Sequence, residues 1–448
     1  MPKAFVVAAP HSGAGKTTVT LALLAAFRAR GLAVQAFKAG PDYIDPAHHA
    51  RLTGRPTHNH DSWMLPLEVN TRIFDQGSSG ADVSVVEGVM GLYDGVDGVR
   101  PEGSTAHIAL LLDLPVVLVV DARSMARSAA ALVQGFSNFE PGVRIAGVIW
   151  NRVGSPSHRR ILDEALASAG LAPSLGALPR DSSVSLPERH LGLVTPEDAG
   201  LPDHFARSLA RFAEDHVALD ELLRIAGQAV RSSSVTPAAS AGGIRIGVPR
   251  DAAFCFYYEE NLRLLRQEAG EVVFFRPTDG DGVPPDLDGL YLGGGYPEAH
   301  AQKLSRNEAF LSGIRELHRA GRPIYAECGG FMALCREMED LEGNRRPMAG
   351  IFPVTVRMDA RGFRLGYREV RVEGVRRLHG LVARGHEFHY SRVETMPEAI
   401  RRAYRVWNAR GEELEPEGYV AGNTLAGYIH LHFGSNPAFV RGLFAFDG

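Results

Sequence analysis

The sequence predicts two α/β domains in tandem, on three observations. Through the first 225 residues, short apolar runs alternate with helical stretches, the pattern of a parallel sheet covered by helices. From Ala226 to Gly243 the composition shifts to Gly, Ser, Pro and Ala, with the run Ser232-Ser233-Ser234, which reads as a linker. From Ile244 the alternation restarts. A chain of 448 residues is longer than one hydrophobic core usually spans. The expected division is therefore a domain at 1–225, a linker at 226–243 and a second domain at 244–448.

Strands are expected at Ala4–Ala9, Ala33–Lys38, Val83–Glu87, Pro115–Asp121 and Ile145–Trp150, with a helix over Thr17–Arg30. In the second domain they are expected at Ile244–Pro249, Glu271–Phe275, Gly289–Leu292 and Pro323–Ala326. Apolar residues make up 45% and charged residues 22%, ordinary for a soluble globular chain. A net charge of -4 gives no reason to expect nucleic acid or a membrane surface as partner. The most apolar run, Leu110–Val120, contains Asp113 and Pro115 and is too short to cross a bilayer. The N-terminus enters a strand directly, without the layout of a secretory signal. Three cysteines, Cys255, Cys328 and Cys335, point to a reducing cytoplasm rather than a disulfide framework. Lysine occurs only at Lys3, Lys16, Lys38 and Lys303, so Lys16 and Lys38, both inside motifs, mark places that need a compact ammonium.

The strand ending at Ala9 runs into Pro10-His11-Ser12-Gly13-Ala14-Gly15-Lys16-Thr17-Thr18 and then a helix. A phosphate cradle requires that order. Gly13 and Gly15 let backbone N–H groups turn toward phosphates, and the helix N-terminus, with Thr18 in its first turn, adds positive potential. Lys16 reaches the β/γ-phosphates and the Thr17 hydroxyl can ligate Mg²⁺. The reading implies ATP and Mg²⁺ as cofactors. Pro10 replaces the usual first glycine, so the loop resembles the variant of the dethiobiotin synthetase and partition-ATPase group.

Acids follow two further strands. Lys38-Ala39-Gly40-Pro41-Asp42-Tyr43-Ile44-Asp45 and Glu87-Gly88-Val89-Met90-Gly91-Leu92-Tyr93-Asp94 both fall at C-terminal strand ends, where α/β sheets bind ligands. Glu87 is placed to act on Mg²⁺ directly or through water. Asp42, Asp45 and Asp94 either complete the metal shell or position a substrate; turn chemistry is their bland alternative. Lys38 can neutralise a transferred phosphoryl group. Asn151 at a late strand end reads a nucleotide base or caps the strand.

In the second domain, Ile324-Tyr325-Ala326-Glu327-Cys328-Gly329-Gly330 is a strand and tight turn leading to a helix, an elbow that exposes a thiol at a helix N-terminus. Upstream, a strand ends in Gly293-Gly294-Gly295; the Gly294 and Gly295 N–H groups are candidates for an oxyanion hole. Tyr428-Ile429-His430-Leu431-His432 supplies a base. These parts fit thiol-mediated acyl transfer. Cys255 and Cys335 read as packing thiols.

Over nearly its whole length the chain resembles the cobyrinic acid a,c-diamide synthase family. The resemblance rests on the glycine loop, Lys38–Asp45, Glu87–Gly95, Gly293–Glu298, Cys328, Gly385-His386-Glu387-Phe388-His389-Tyr390-Ser391 and the terminal Tyr-Ile-His-Leu-His-Phe. It implies a dethiobiotin-synthetase-like parallel sheet followed by a flavodoxin-type sheet of class I glutamine amidotransferases. It implies Cys328 as nucleophile with His430 as partner, His432 being the alternative. It implies glutamine, ATP and a tetrapyrrole as substrates, and ligase activity on the a and c acetates by way of an acyl phosphate. Class I amidotransferases usually carry Glu two residues after the histidine. His432 stands there, so a Cys–His dyad is implied. The Gly385–Ser391 stretch is expected either to close over the tetrapyrrole or to be a hydrogen-bonded structural loop. A homodimer is a candidate assembly. Rival readings are a partition-ATPase-like nucleotide switch, which His11 in place of a signature lysine disfavours, and a non-catalytic binding protein. Nearer rivals keep the chemistry but change the ring to hydrogenobyrinic acid or nickel-sirohydrochlorin.

Overall fold

The computed structural model describes residues 2–184, 188–189, 192–193, 202–228, 243–359 and 363–444. The chain divides into two compact units, Met1–Val235 and Thr236–Gly448. Within the expected linker, residues 229–242 lie outside the described residues, whereas Gly227 pairs with Ala4 through two backbone hydrogen bonds of 2.8 and 2.9 Å.

The first unit is built on seven strands: β1 Lys3–Ala8, β2 Val34–Ala39, β3 His58–His60, β4 Val83–Glu87, β5 Val116–Asp121, β6 Ile145–Val153 and β7 Ser174–Pro179. They are all parallel and lie in the order β3-β2-β4-β1-β5-β6-β7. Helices cover both faces, which is why β1 and β5 are apolar along nearly their whole length rather than alternating. The helices are α1 Lys16–Ala29, α2 Ile44–Thr53, α3 Leu67–Gly77, α4 Thr105–Leu111, α5 Ser128–Asn138, α6 Pro156–Ser168, α7 Asp203–His216 and α8 Leu219–Ile225. A two-residue hairpin, β8 Glu188–Arg189 with β9 Gly192–Leu193, lies between β7 and α7. The chain leaves β1 toward β2 on one side and later jumps from β4 over β1 to β5. The C-terminal ends of β1 and β4 therefore flank the point where strand order reverses, where such sheets open a ligand crevice.

The second unit begins with the parallel strands β10 Arg245–Pro249, β11 Glu271–Phe275, β12 Gly289–Leu292 and β13 Ile324–Glu327. A small sheet follows, in the order β15-β14-β16-β19, from β14 Cys335–Glu339, β15 Arg345–Pro347, β16 Phe352–Met358 and β19 Ser391–Val393. The remaining strands are β17 Arg364–Val372, β18 Val382–His389, β20 Arg401–Asn408, β21 Glu413–Ala421, β22 Thr424–Gly427 and β23 His430–Leu431. They extend the main sheet to β11-β10-β12-β13-β22-β21-β20-β17-β18-β23, antiparallel beyond β22. The helices are α9 Glu259–Glu268, α10 Ala301–Arg306, α11 Glu308–Arg319, α12 Gly329–Leu334 and α13 Ala438–Phe444. The flavodoxin-like part is thus fused to an antiparallel extension whose strands alternate charged and apolar residues.

No helix among the described residues is long and apolar enough to cross a membrane. Phe5 on β1 and Phe27 on α1 are fully buried and meet edge to face, ring centroids 6.4 Å apart, pinning the helix behind the glycine loop to its sheet. Phe27→Ala is expected to lower the stability of this unit by about 3–5 kcal/mol, read from urea unfolding of its transition. A loss below about 1 kcal/mol would mean the contact does not hold the helix.

Candidate active sites

In the first unit, the loop after β1 enters α1 through Gly15, whose φ of 98° is left-handed. A Cβ there would lie 2.2 Å from Asn151 Nδ2, so backbone conformation and close packing both require glycine. The Asn151 amide, on β6, donates to Ala14 O at 2.9 Å; it braces the loop, and its oxygen accepts from Arg152 N–H at 2.9 Å. No side chain caps α1, so its first N–H groups face the loop, as an anion site needs. Gly13 is also left-handed and exposed, and Thr18 is half-buried in the first helical turn.

Around this loop the strand ends bring charged groups together. The Lys38 ammonium on β2 lies 2.6 Å from Asp45 Oδ2, 2.9 Å from Glu87 Oε1, 3.7 Å from Asp42 Oδ2 and 3.1 Å from Gly88 O. The Thr17 hydroxyl donates to Glu87 Oε1 at 2.7 Å and lies 3.3 Å from Asp45 Oδ2. Asp42 also accepts the Ile44 and Asp45 N–H groups, at 2.8 and 3.3 Å, which starts α2. Lys16 donates to the carbonyls of Met90 and His11. Asp94 accepts Gly91 N–H at 2.8 Å in its own turn, and its charge favours the Lys16 ammonium.

Burial alone would lower the Lys38 pKa, but Asp45, Glu87 and Asp42 outweigh it and hold the ammonium charged. Burial would raise Glu87, but Lys38, His49 and Thr17 together keep it well below the usual carboxylate range. Burial, aided by Asp42 and Glu87, pushes Asp45 up. Burial and the neighbouring Lys38 lower Lys16 to about 8.

Among the described residues no three His, Cys, Asp or Glu side chains form a closed metal cage. Mg²⁺ does not need one. It takes one or two protein oxygens and completes its octahedron with phosphate oxygens and water, and the adjoining Thr17 hydroxyl and Glu87 carboxylate suit that role.

Sequence reasoning missed His49, whose Nε2 sits 2.6 Å from Glu87 Oε2 with both groups fully buried. Its signal was positional: it lies one helical turn after Asp45, on the same face of α2.

In the second unit, Cys328 caps α12 with φ 47° and ψ −106°, the strained elbow expected at the end of β13. Its N–H donates to Gly427 O at 2.7 Å, and its thiol lies 3.8 Å from Phe388 O. Gly294 lies between nucleophile and base. A Cβ there would be 2.4 Å from His430 Cε1, 3.2 Å from His430 Nε2 and 3.4 Å from Cys328 Cβ, so the imidazole and the thiol border one small space. The Gly295 N–H group lies on the α12 side of that space, 3.1 Å from where a Cβ of Gly329 would stand. His430 and Cys328 are buried, so the elbow does not expose the thiol, contrary to the expectation from the sequence. Burial pushes the Cys328 thiol well up, with Glu298 adding to it, and lowers His430 to about 3, with His389 adding to it. The resting pair is a neutral thiol and a neutral imidazole.

His432 is turned to a local role, its Nδ1 accepting Gly434 N–H at 3.2 Å and its ring packed on Tyr258. The stretch Gly385–Ser391 is not a covering loop. Most of it is strand β18, and His386 is buried, stacked on His430 at 5.0 Å and bonded to the Tyr258 hydroxyl at 2.8 Å. His389 faces Glu387 Oε1 at 2.8 Å and lies flat on Tyr428 at 3.8 Å. Gly385, His386 and Glu387 are buried in succession on a strand paired with His430, which produces this arrangement. Cys335 is buried with its thiol toward Phe331 O, and Cys255 is half-buried.

A phosphate-binding loop in one unit and a cysteine elbow beside a histidine in the other define the class of two-part, P-loop glutamine amidotransferases. Residues 5–194 match the CobQ/CobB/MinD/ParA nucleotide binding domain, and residues 245–438 match the CobB/CobQ-like glutamine amidotransferase domain. The chain is 44% identical over 443 residues to a cobyrinate a,c-diamide synthase of Syntrophotalea carbinolica, covering 97% of this chain and 96% of the relative. It is 41% identical to the cobyrinate a,c-diamide synthase of Priestia megaterium, covering 97% and 95%. It is 43% identical to a hydrogenobyrinate a,c-diamide synthase of Brucella abortus, covering 96% and 98%. The chain belongs to the cobyrinate a,c-diamide synthase family.

Two expectations follow from the geometry. Phosphates beside Lys16 favour its charged form, so ATP binding at about pH 8.5 should take up protons. Calorimetry in buffers of different ionisation heat measures that uptake, and Lys16→Ala should lose it. Gly294→Ala should push the His430 ring off Cys328 and slow glutamine hydrolysis on the order of 100-fold, read from glutamate release; an unchanged rate would show that the shared space is not the reaction site.

Proposed function

We propose that the chain is an ATP-dependent ligase that converts the a and c acetate carboxylates of cobyrinic acid into amides, using ammonia from glutamine, in cobalamin biosynthesis. The observation that carries this reading is the pairing of a phosphate-binding strand-end cluster with a Cys328–His430 site in one chain, along nearly the full length of relatives named for that reaction.

A carboxylate does not react with ammonia, because oxide is a poor leaving group. Transfer of the γ-phosphoryl of ATP to a carboxylate oxygen gives an acyl phosphate and ADP. Gly13, Gly15, Lys16, Thr17 and Thr18 hold the nucleotide. Lys38 faces the transferred group and spreads its charge. Thr17, Glu87 and Asp42 are the residues to hold Mg²⁺, which when bound neutralises phosphate charge. Asp45 and Asp94 are left for positioning substrate or phosphoryl group.

In the second unit, Cys328 attacks the side-chain amide carbon of glutamine. His430 takes the thiol proton and delivers it to the departing nitrogen, and the Gly294 and Gly295 N–H groups stabilise the oxyanion. Ammonia leaves, and water releases glutamate from the thioester. Ammonia then attacks the acyl phosphate, phosphate departs, and an amide remains. The three free thiols fit a cytoplasmic setting.

A second reading keeps this chemistry and substitutes hydrogenobyrinic acid, favoured by the Brucella relative. The test incubates the full chain with either acid, Mg·ATP and glutamine, and follows product mass. Two successive losses of about one mass unit, each requiring ATP, support a diamide synthase, and the ring that reacts decides the substrate. Cys328→Ala should abolish the glutamine-driven reaction and leave the ammonium-driven one. Loss of both in a folded variant would overturn the division of labour.

A further inference from the structure

We propose that Glu327, the residue immediately before the nucleophile, is the carboxylate that orients His430 and balances its charge. The inference rests on the glutaminase reading of the second unit and extends the dyad to a third group.

Glu327 is the last residue of β13 and Cys328 begins the elbow, so the same strand end delivers both. Its Oε2 lies 4.0 Å from His430 Nδ1, and both side chains are 1% exposed. Of the two ring nitrogens, Nε2 lies nearer the point that His430 shares with Cys328, at 3.2 Å, with Cε1 between the nitrogens nearest of all at 2.4 Å. The ring therefore turns one nitrogen toward the nucleophile's space and the other toward the carboxylate, the arrangement a positioned base requires. The carboxylate is held rigidly. Tyr291 OH donates to Oε2 at 2.9 Å; Tyr325 OH and Leu431 N–H donate to Oε1 at 2.8 and 2.9 Å. Leu431 follows His430, so Glu327 also fixes the backbone that carries the base.

A second acid near the thiol, Glu387, has a different duty. Glu387 is paired with Arg368 at 2.7 Å and His389 at 2.8 Å. Position 432, two residues past the base, carries a histidine bonded into its own turn.

The chemistry needs a countercharge. When the thiol proton passes to His430, an imidazolium forms in a site where both groups rest neutral, and a buried cation without a partner is costly. At 4.0 Å the contact is loose at rest; it is of the kind that tightens when the imidazole becomes charged. The groups facing Glu327 are Tyr291 on β12, Tyr325 on its own strand, Tyr404 on β20, His430 on β23 and Cys328. Burial raises Glu327 to about 7, against the hydrogen bonds from Tyr325, Leu431 and Tyr291. The carboxylate is therefore present above neutrality and lost below it.

The test measures glutaminase kcat and KM against pH in the full chain. Wild type should show an acid limb near pH 7. Glu327→Gln should lower kcat on the order of 100-fold, leave KM for glutamine and ammonium-driven amidation unchanged, and erase that limb. Tyr291→Phe keeps the carboxylate but removes a donor to its charged form, so it should move the limb to higher pH. This second variant decides the matter if the first does not fold. A Glu327→Gln enzyme within about threefold of wild type, or a limb that neither variant moves, would overturn the inference while leaving the glutaminase reading intact. A wild-type chain that releases no glutamate would overturn both.

Discussion

Each unit carries a fully buried glutamate on the last residue of a central strand, and the chemistry around it follows from what that carboxylate is paired with. Glu87 ends β4 against the Lys38 ammonium and the His49 ring, and it stays ionised. Glu327 ends β13 against two phenols and a backbone N–H, none of them charged, and burial lifts it to about 7. The residue type and its topological position are the same. The outcomes differ because a cation repays the desolvation of a carboxylate and neutral donors repay only part of it. The first arrangement makes a fixed anion, suited to a site that handles phosphates. The second makes one that titrates near neutrality beside a base.

Topology explains how such groups meet. Parallel strands deliver their C-terminal ends to one side, so Lys38, Glu87 and the glycine loop converge although they are far apart in sequence. In the second unit the parallel strands supply Gly294 and Cys328, but the base comes from the far edge of the sheet. Strand β18 pairs with β23, His386 opposite His430. A Cβ on Gly385 would lie 1.9 Å from His430 O, so the glycine permits a backbone approach that any side chain would block. The Gly385–Ser391 motif thus acts on the base by holding its strand.

This also shows what was legible in the sequence. The parallel strands were: burial on both faces leaves mainly apolar runs at Val83–Glu87 and Gly289–Leu292, both found at the expected residues, and the largely exposed edge strand Glu271–Phe275 is found there too through its run of β-formers. The antiparallel extension was not, because strands such as Arg364–Val372 and Arg401–Asn408 expose one face and interleave arginine with apolar residues. The glycine loop and the elbow were legible because backbone geometry restricts residue choice there. The partners of the carboxylates were not: His49 and Tyr291 earn their place only through contacts across the fold, and no local pattern marks them. Glu327 did carry a signal, an acid inside an apolar strand, which requires a partner wherever it is buried.

The scarcity of lysine gains a physical reason in the first unit. The Lys38 ammonium meets Asp45, Glu87 and the Gly88 carbonyl in different directions within 3.1 Å, with Asp42 at 3.7 Å. A compact charge with three rotatable donors suits that enclosure; a planar guanidinium, built for paired bonds in one plane, does not. Three carboxylates around one ammonium still leave surplus negative charge, and burial, with Asp42 and Glu87, relieves it at Asp45, whose raised pKa favours the neutral acid. A triphosphate brought to the same loop would add more negative charge. Lys16, lowered to about 8 by burial and Lys38, is held in its charged form by that added negative charge. The charge balance of the strand ends, more than any single side chain, is what a bound nucleotide has to meet.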